Sequence, residues 1–199
     1  MGSRTASASP TGSRAAETAA RKRRLLAAAT ALAADGGYDA VQMRDVAAGA
    51  EVALGTLYRH YASKDQLLLA AMAQQAATLR ERMVHRPPRG STPGERVCEV
   101  LQRACRALER EPLVTKAMLT AMSSDDEGAL PIKHEIDTTL RAIIADAVDG
   151  STPRGTEFDD IVRVLGSVWF AELTYWSNGL SGRASMGDNL GIAARLLFP

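Results

Sequence analysis

The feature that most limits what this chain can fold into is a run of 34 residues, 36–69, reading GGYDAVQMRDVAAGAEVALGTLYRHYASKDQLLL. Gly36 and Gly37 can stop a preceding helix, because glycine accepts the left-handed conformation that a helix end needs. Met43, Val46, Ala47 and Ala50 recur at helical spacing and predict a short helix starting near Met43. A turn is expected at Glu51-Val52, then a second short helix over residues 54–61. Ser63 offers a hydroxyl to cap a long helix running toward Met83. Ala47 is small where two crossing helices must approach, and Val52 and Leu57 are apolar where the second helix should pin the first. This is the pattern of a helix-turn-helix, whose second helix lies in the major groove of DNA.

The side chains on that pattern point the same way. Thr56, Tyr58, Arg59 and His60 occupy its outer positions and can donate to phosphates or base edges. Leu54, Gly55 and Arg59 sit where base edges come within reach, whereas Thr56, Tyr58, His60 and Lys64 are expected mostly at phosphates. Upstream, a first helix over about 16–34 buries Leu25, Ala29, Leu32 and Ala33 on one face. It opens with Arg21-Lys22-Arg23-Arg24. Cations there oppose the helix dipole at a cost of a few tenths to about 1 kcal/mol, which a phosphate offsets; Arg21 and Arg23 are the candidates. Gln42 and Arg44, at the start of the next helix, complete the DNA-contact set. Charge supports this weakly: residues 1–64 carry nine Lys and Arg against five Asp and Glu, and the remainder fifteen against eighteen.

The rest of the chain reads as helix. Ala, Leu, Arg and Glu outnumber Val, Ile, Thr and the aromatics, and 46% apolar residues suffice for a core. Residues 85–94, HRPPRGSTPG, cannot continue a helix. Beyond them helices are expected over about 94–110, 112–122, 130–148, 157–179 and 183–198, separated by Pro112, a polar run over 123–128 and a break over 150–155. No strand pattern or internal repeat is visible. The expected fold class is therefore all-α: a disordered tail (1–14), a three-helix helix-turn-helix domain (15–62), and a C-terminal helical domain for ligand binding and dimerisation (63–199).

Residues 36–69 closely resemble the DNA-binding domain of the TetR family of regulators. The carriers are Arg44-Asp45-Val46-Ala47, Gly55-Thr56-Leu57-Tyr58-Arg59-His60-Tyr61 and Ser63-Lys64. Two positions depart from the common pattern: Glu51 stands where a turn glycine is usual, and Ala53 where a serine usually begins the recognition helix. The loss at Ala53 removes a cap worth about 1 kcal/mol. Within the family, GGY-x-AVQMR, Glu111-Pro112-Leu113-Val114-Thr115-Lys116-Ala117-Met118 and Val168-Trp169 resemble the cholesterol-catabolism repressors of actinobacteria, the KstR group. That resemblance implies repression relieved by a coenzyme A thioester of a sterol catabolite, with double-stranded DNA bearing an inverted-repeat operator as the other partner.

Met72, Leu101, Cys105, Met118, Met122, Leu140, Ile144, Trp169 and Leu173 are candidates to line one apolar tunnel for a hydrophobic effector. A homodimer is expected through the last two helices, using Val168, Glu172, Tyr175, Trp176, Leu190, Ala194, Leu197 and Phe198. The alternatives are a regulator that senses a drug or fatty acyl-CoA, and a DNA-binding protein without an effector. No catalytic constellation, metal-ligand spacing or cofactor motif is legible: His60, His85 and His134 are scattered, and Cys98 and Cys105 lie seven apart on one predicted helix, too far for a disulfide. With no long apolar run and no signal peptide, no membrane partner is expected and the cytoplasm is the expected location.

Overall fold

The computed structural model describes residues 10–150, 155–180 and 187–199. Among these residues there are nine α-helices, one short 3-10 turn and no strand, as the all-α reading expects. In order they are α1 (Pro10–Ala40), α2 (Met43–Gly49), α3 (Leu54–His60), α4 (Lys64–His85), α5 (Pro93–Arg110), α6 (Pro112–Met122), the 3-10 turn (Glu127–Ala129), α7 (Leu130–Val148), α8 (Thr156–Ser177) and α9 (Asp188–Leu197). Residues 10–14, expected in the tail, form the first turn of α1, continuous with the helix-favouring Ala15-Ala16. The rest of the expected tail, the 151–154 part of the expected break and the expected helix start at 183 lie outside the described residues.

Local chemistry accounts for most boundaries. The helix of α1 breaks at Gly36-Gly37, where Gly37 has φ 70°. Ser63 caps α4 by accepting a hydrogen bond from the Gln66 N–H at 3.2 Å. α5 starts on a capping box, in which Thr92 and Glu95 each accept from the other's backbone N–H, with Pro93 in the first turn. Pro112 likewise opens α6.

Two apolar cores result, and they do not divide at residue 62. The first joins Leu25, Ala29, Val46 and Leu57 of the helix-turn-helix to Leu67, Leu68 and Leu69 of α4, Val114, Ala117, Met118 and Ala121 of α6, and Ile136 of α7. The second lies among α4, α5, α7, α8 and α9, around Val97, Leu101, Ile143, Leu165, Leu190 and Phe198. Its tightest seam is between α5 and α9. A Cβ on Gly94 would run into the α9 backbone around Ala194 and Phe198, and one on Gly191 would come within 2.9 Å of Cys98 Sγ. Close approach of these two helices is why α9, at the chain end, stays docked.

Candidate DNA-contacting head and effector cavity

The turn between α2 and α3 sets how the head presents its surface. The Val52 N–H donates to Ala47 O at 2.9 Å and the Glu51 N–H to Ala48 O at 3.1 Å. This pair of bonds is a Schellman motif, which places its C′ residue in the left-handed region. Glu51 is that residue, with φ 55°. The geometry of the usual turn glycine is thus kept by a residue that pays a steric penalty for it. Ala53, at the α3 N-cap, makes no side-chain cap, as its side chain requires. Leu57, fully buried, fastens α3 to the core.

The outward surface of this pair carries most of the sequence candidates. Arg44, Leu54, Gly55, Tyr58 and Arg59 are exposed, and Thr56 and His60 are partly so. Arg59 donates to Thr56 Oγ1 at 2.9 Å, which orients both across the first turns of α3. Gly55 is informative because a Cβ there would meet nothing within 4 Å. Nothing inside the molecule requires a glycine in this helical turn, where it costs about 1 kcal/mol relative to alanine. Gln42 caps nothing with its side chain; its Nε2 donates to Asp39 O at 2.8 Å.

The basic cluster divides by role. Arg24 donates to Ala50 O at 3.1 Å, tying α1 to the end of α2, and Arg21 pairs with Glu17 at 2.9 Å. Lys22 and Arg23 are exposed. Burial pushes the pKa of His60 down, aided by the charges of Lys22, Arg21 and Arg59. Lys22 belongs to the basic run of the sequence but not to the named contacts, and the fold brings its charge beside the end of α3. Lys64 is held in the joint rather than displayed. Its Nζ donates to Tyr38 O at 3.3 Å and sits 3.7 Å from the centre of the Tyr38 ring. Tyr38 Oη in turn donates to Asp65 Oδ1 at 2.5 Å, and burial and that carboxylate push the phenol up to about 12.

The other side of the same joint is a clamp. Asp126, at the start of the 3-10 turn, accepts from Ser63 Oγ at 2.6 Å and Gln66 Nε2 at 3.1 Å. Gly128 leaves room for it, since a Cβ there would lie 2.5 Å from Gln66 Nε2. The N-terminus of α4 is thereby bonded to both the head and the α6–α7 connection.

At its other end α4 enters the body and meets a small, partly open cavity. Leu79 of α4, Val100, Leu101 and Ala104 of α5, Leu140, Ile143 and Ile144 of α7, and Trp169 of α8 line a void of about 10 Å³. Four of the nine expected lining residues are therefore brought together: Leu101, Leu140, Ile144 and Trp169. Met72, Met118 and Met122 instead pack in or against the core shared with the head, and Cys105 and Leu173 lie in the body core without facing the void. Burial and nearby Glu109 and Glu172 push the Cys105 thiol up to about 12, so it stays protonated.

Comparison with known proteins fits this geometry. A family model described as bacterial regulatory proteins of the tetR family matches residues 25–71, and one described as a tetracyclin repressor-like C-terminal domain matches 90–197. The chain belongs to the TetR family. Among curated relatives of this TetR regulator, the HTH-type transcriptional repressor KstR of Rhodococcus jostii RHA1 is 35% identical over 178 residues, 89% of this chain and 82% of that protein. A solved TetR transcriptional regulator from Rhodococcus sp. RHA1 superposes with TM-score 0.83 at 32% identity, covering 91% of this chain and 97% of its own. Thermus thermophilus FadR, a repressor solved with lauroyl-CoA, shares the fold with TM-score 0.71 at 23% identity, covering 88% and 92%.

The last two helices of this TetR-family chain correct the expected dimer set. Leu190, Ala194 and Phe198 are at most 2% exposed and face the protein's own core. Glu172 is also buried and accepts from Asn189 Nδ2 at 2.8 Å. Val168, Trp176 and Leu197 are half-buried against the body core. Of the expected set Tyr175 alone is exposed; Val164, Phe170, Leu180, Ile192 and Leu196 are exposed as well. Periodicity marks an apolar stripe on each helix, and α5 takes the stripe that was assigned to a partner.

Proposed function

We propose that this TetR regulator is a transcriptional repressor that binds an inverted-repeat operator as a homodimer and leaves it when a sterol-derived acyl-CoA enters the body. The likeness to the KstR repressor over 89% of the chain carries this reading. The geometry supports a route for it. α4 lends Leu79 to the cavity wall and, at its other end, Ser63, Lys64, Asp65 and Gln66 to the joint with the head. A void of about 10 Å³ has room for about one water. A ligand of sterol size must push its walls apart, and a rigid helix passes that displacement to the head. Effector and operator then favour different states, which is what release requires. Exposed Val164 and Tyr175 on α8, and Ile192 and Leu196 on α9, offer apolar side chains for the pairing of two copies.

An operator-release titration tests the reading, with a sterol-acyl thioester, its free acid and coenzyme A alone. Release by the thioester at the lowest concentration is expected. Release by none of the three removes the sterol assignment. Lauroyl-CoA, the ligand solved with the FadR neighbour, is the natural fourth arm; its outperforming the sterol thioester would favour a fatty-acyl sensor. Sedimentation of the free protein as a monomer at micromolar concentration would refute the pairing.

A further inference from the structure

α4 and α7 pack side by side in the same direction, and what joins them differs from end to end. Near their starts Leu67 and Leu68 of α4 share the first core with Ile136 of α7. Near their ends Leu79 of α4 lines the void together with Leu140, Ile143 and Ile144 of α7, and Arg80 pairs with Asp146 at 2.8 Å. That ion pair is half exposed, so it resists parting only weakly. The starts are held by directional bonds. Asp126 Oδ2 accepts from Ser63 Oγ at 2.6 Å and Gln66 Nε2 at 3.1 Å, and Asp126 Oδ1 accepts from the Gly128 N–H at 2.8 Å. Gln66 is itself tied back, its Oε1 accepting from the Ala62 N–H at 3.0 Å. The Ser63 hydroxyl leads the groups that hold the Asp126 carboxyl below its usual range, so it is ionised at neutral pH and its bonds are charge-assisted. The charge also lies at the positive end of α4.

We propose that Asp126 is a positioning residue that fixes the pivot about which α4 turns when the far ends of α4 and α7 are pushed apart. Apolar packing is non-directional and lets two helices slide past each other. Hydrogen bonds are directional and short, so turning about Asp126 keeps them whereas translation of α4 breaks them. Ser63 and Leu79 are sixteen positions apart, an arm of about 24 Å at a rise of about 1.5 Å per residue. Over that arm, a separation of about 4 Å at Leu79 turns α4 by about 10°. Lys64 and Asp65, beside the pivot, carry the turn into Tyr38 of the head. Without the pivot the far ends can part while the start of α4 stays with the head. Cavity opening and head rotation then become separate events. This inference rests on the effector-release reading above, and Asp126 acts on the coupling between the two sites rather than on either site.

Spin labels on Asp35→Cys in α1 and Asp137→Cys in α7, both exposed positions, report the head–body distance by double electron–electron resonance; the native cysteines are buried. Labelled chains are diluted with unlabelled protein so that only pairs within one chain are read. In the free protein Asp126→Ala should broaden the distance distribution, and an unchanged width overturns the pivot with no effector needed. The second measurement is operator Kd with and without a saturating thioester, cholanoyl-CoA or lauroyl-CoA. In the wild type the thioester should raise that Kd by about tenfold or more, within the usual range of allosteric couplings. In Asp126→Ala the factor should fall to about twofold or less, while operator Kd without thioester and thioester Kd without operator each stay within about threefold. A lesion that only damaged the fold would instead weaken both affinities. A factor retained by Asp126→Ala overturns the pivot and leaves the acyl-CoA reading standing. If Asp126→Ala does not fold, Gly128→Ala decides both measurements, since its Cβ would press on the flexible Gln66 amide at 2.5 Å. The factor should then fall by about threefold, and an unchanged factor overturns the pivot. Release of the wild-type protein by neither thioester overturns the acyl-CoA reading alone, and the distance measurement then decides the pivot.

Discussion

Replacing Glu51 with glycine should stabilise the protein relative to replacing it with alanine. Glu51 is held at φ 55° by two backbone hydrogen bonds that any residue can make, so both variants keep the turn. Both also remove an exposed carboxylate, so the comparison isolates the backbone. A residue with a Cβ in the left-handed region costs about 1–2 kcal/mol. Glycine escapes that, but its unfolded chain has more freedom, which returns about 0.4–1 kcal/mol. The difference favours glycine by about 0.5–1 kcal/mol. For a chain of 199 residues that is about 1–4 °C in melting temperature. Thermal unfolding followed by circular dichroism at matched protein concentration measures it. An alanine variant that melts at or above the glycine variant would refute the claim that the turn is strained at this residue.

Gly55→Ala should gain about 1 kcal/mol of helix stability yet weaken operator binding, since open space surrounds that Cβ only until DNA arrives; a variant that is more stable and binds DNA equally well would count against close approach at that turn. The lowered pKa of His60 means the folded chain takes its proton less readily than the unfolded one, so its effect is absent above the unfolded value of 6.5 and destabilises as pH falls through it. Operator phosphates oppose Lys22, Arg21 and Arg59 and raise that pKa, so affinity at fixed salt should tighten as pH falls through the same window, and His60→Gln should flatten the slope. Ala104→Val adds two carbons at the cavity wall, each worth up to about 0.8 kcal/mol before packing costs. If about 1 kcal/mol of that survives, the effector concentration for release rises about fivefold; an unchanged or lower midpoint in the release titration would speak against this cavity as the effector's entry point.

Much of the fold was legible because helix ends are made by neighbours in sequence. Gly36-Gly37, Ser63, Thr92-Pro93 and Pro112 each stop or start a helix through groups within a few residues. The displayed surface of α3 was legible for the same reason. What sequence periodicity does not contain is which neighbour covers an apolar stripe. Met118 was rightly read as buried, but it faces the head rather than the cavity. Leu190 and Phe198 were rightly read as apolar faces of a last helix, but α5 covers them. The joint was legible only in half: Ser63 announces a cap, whereas Asp126, more than sixty residues away, joins it only in the fold. Val100, Ala104 and Ile143 escaped the cavity set because aliphatic walls carry no chemical signal of their own.

The core shared by the head, α4, α6 and Ile136 also bears on how such regulators can be recombined. A chimaera joined at residue 62 would sever Leu25 and Leu57 from Leu67, Val114 and Met118, so two half-surfaces shaped by different histories would have to mesh. Operator choice in this chain is therefore not a detachable cartridge. A transplant that keeps its fit must carry the residues of α4 and α6 that face the head.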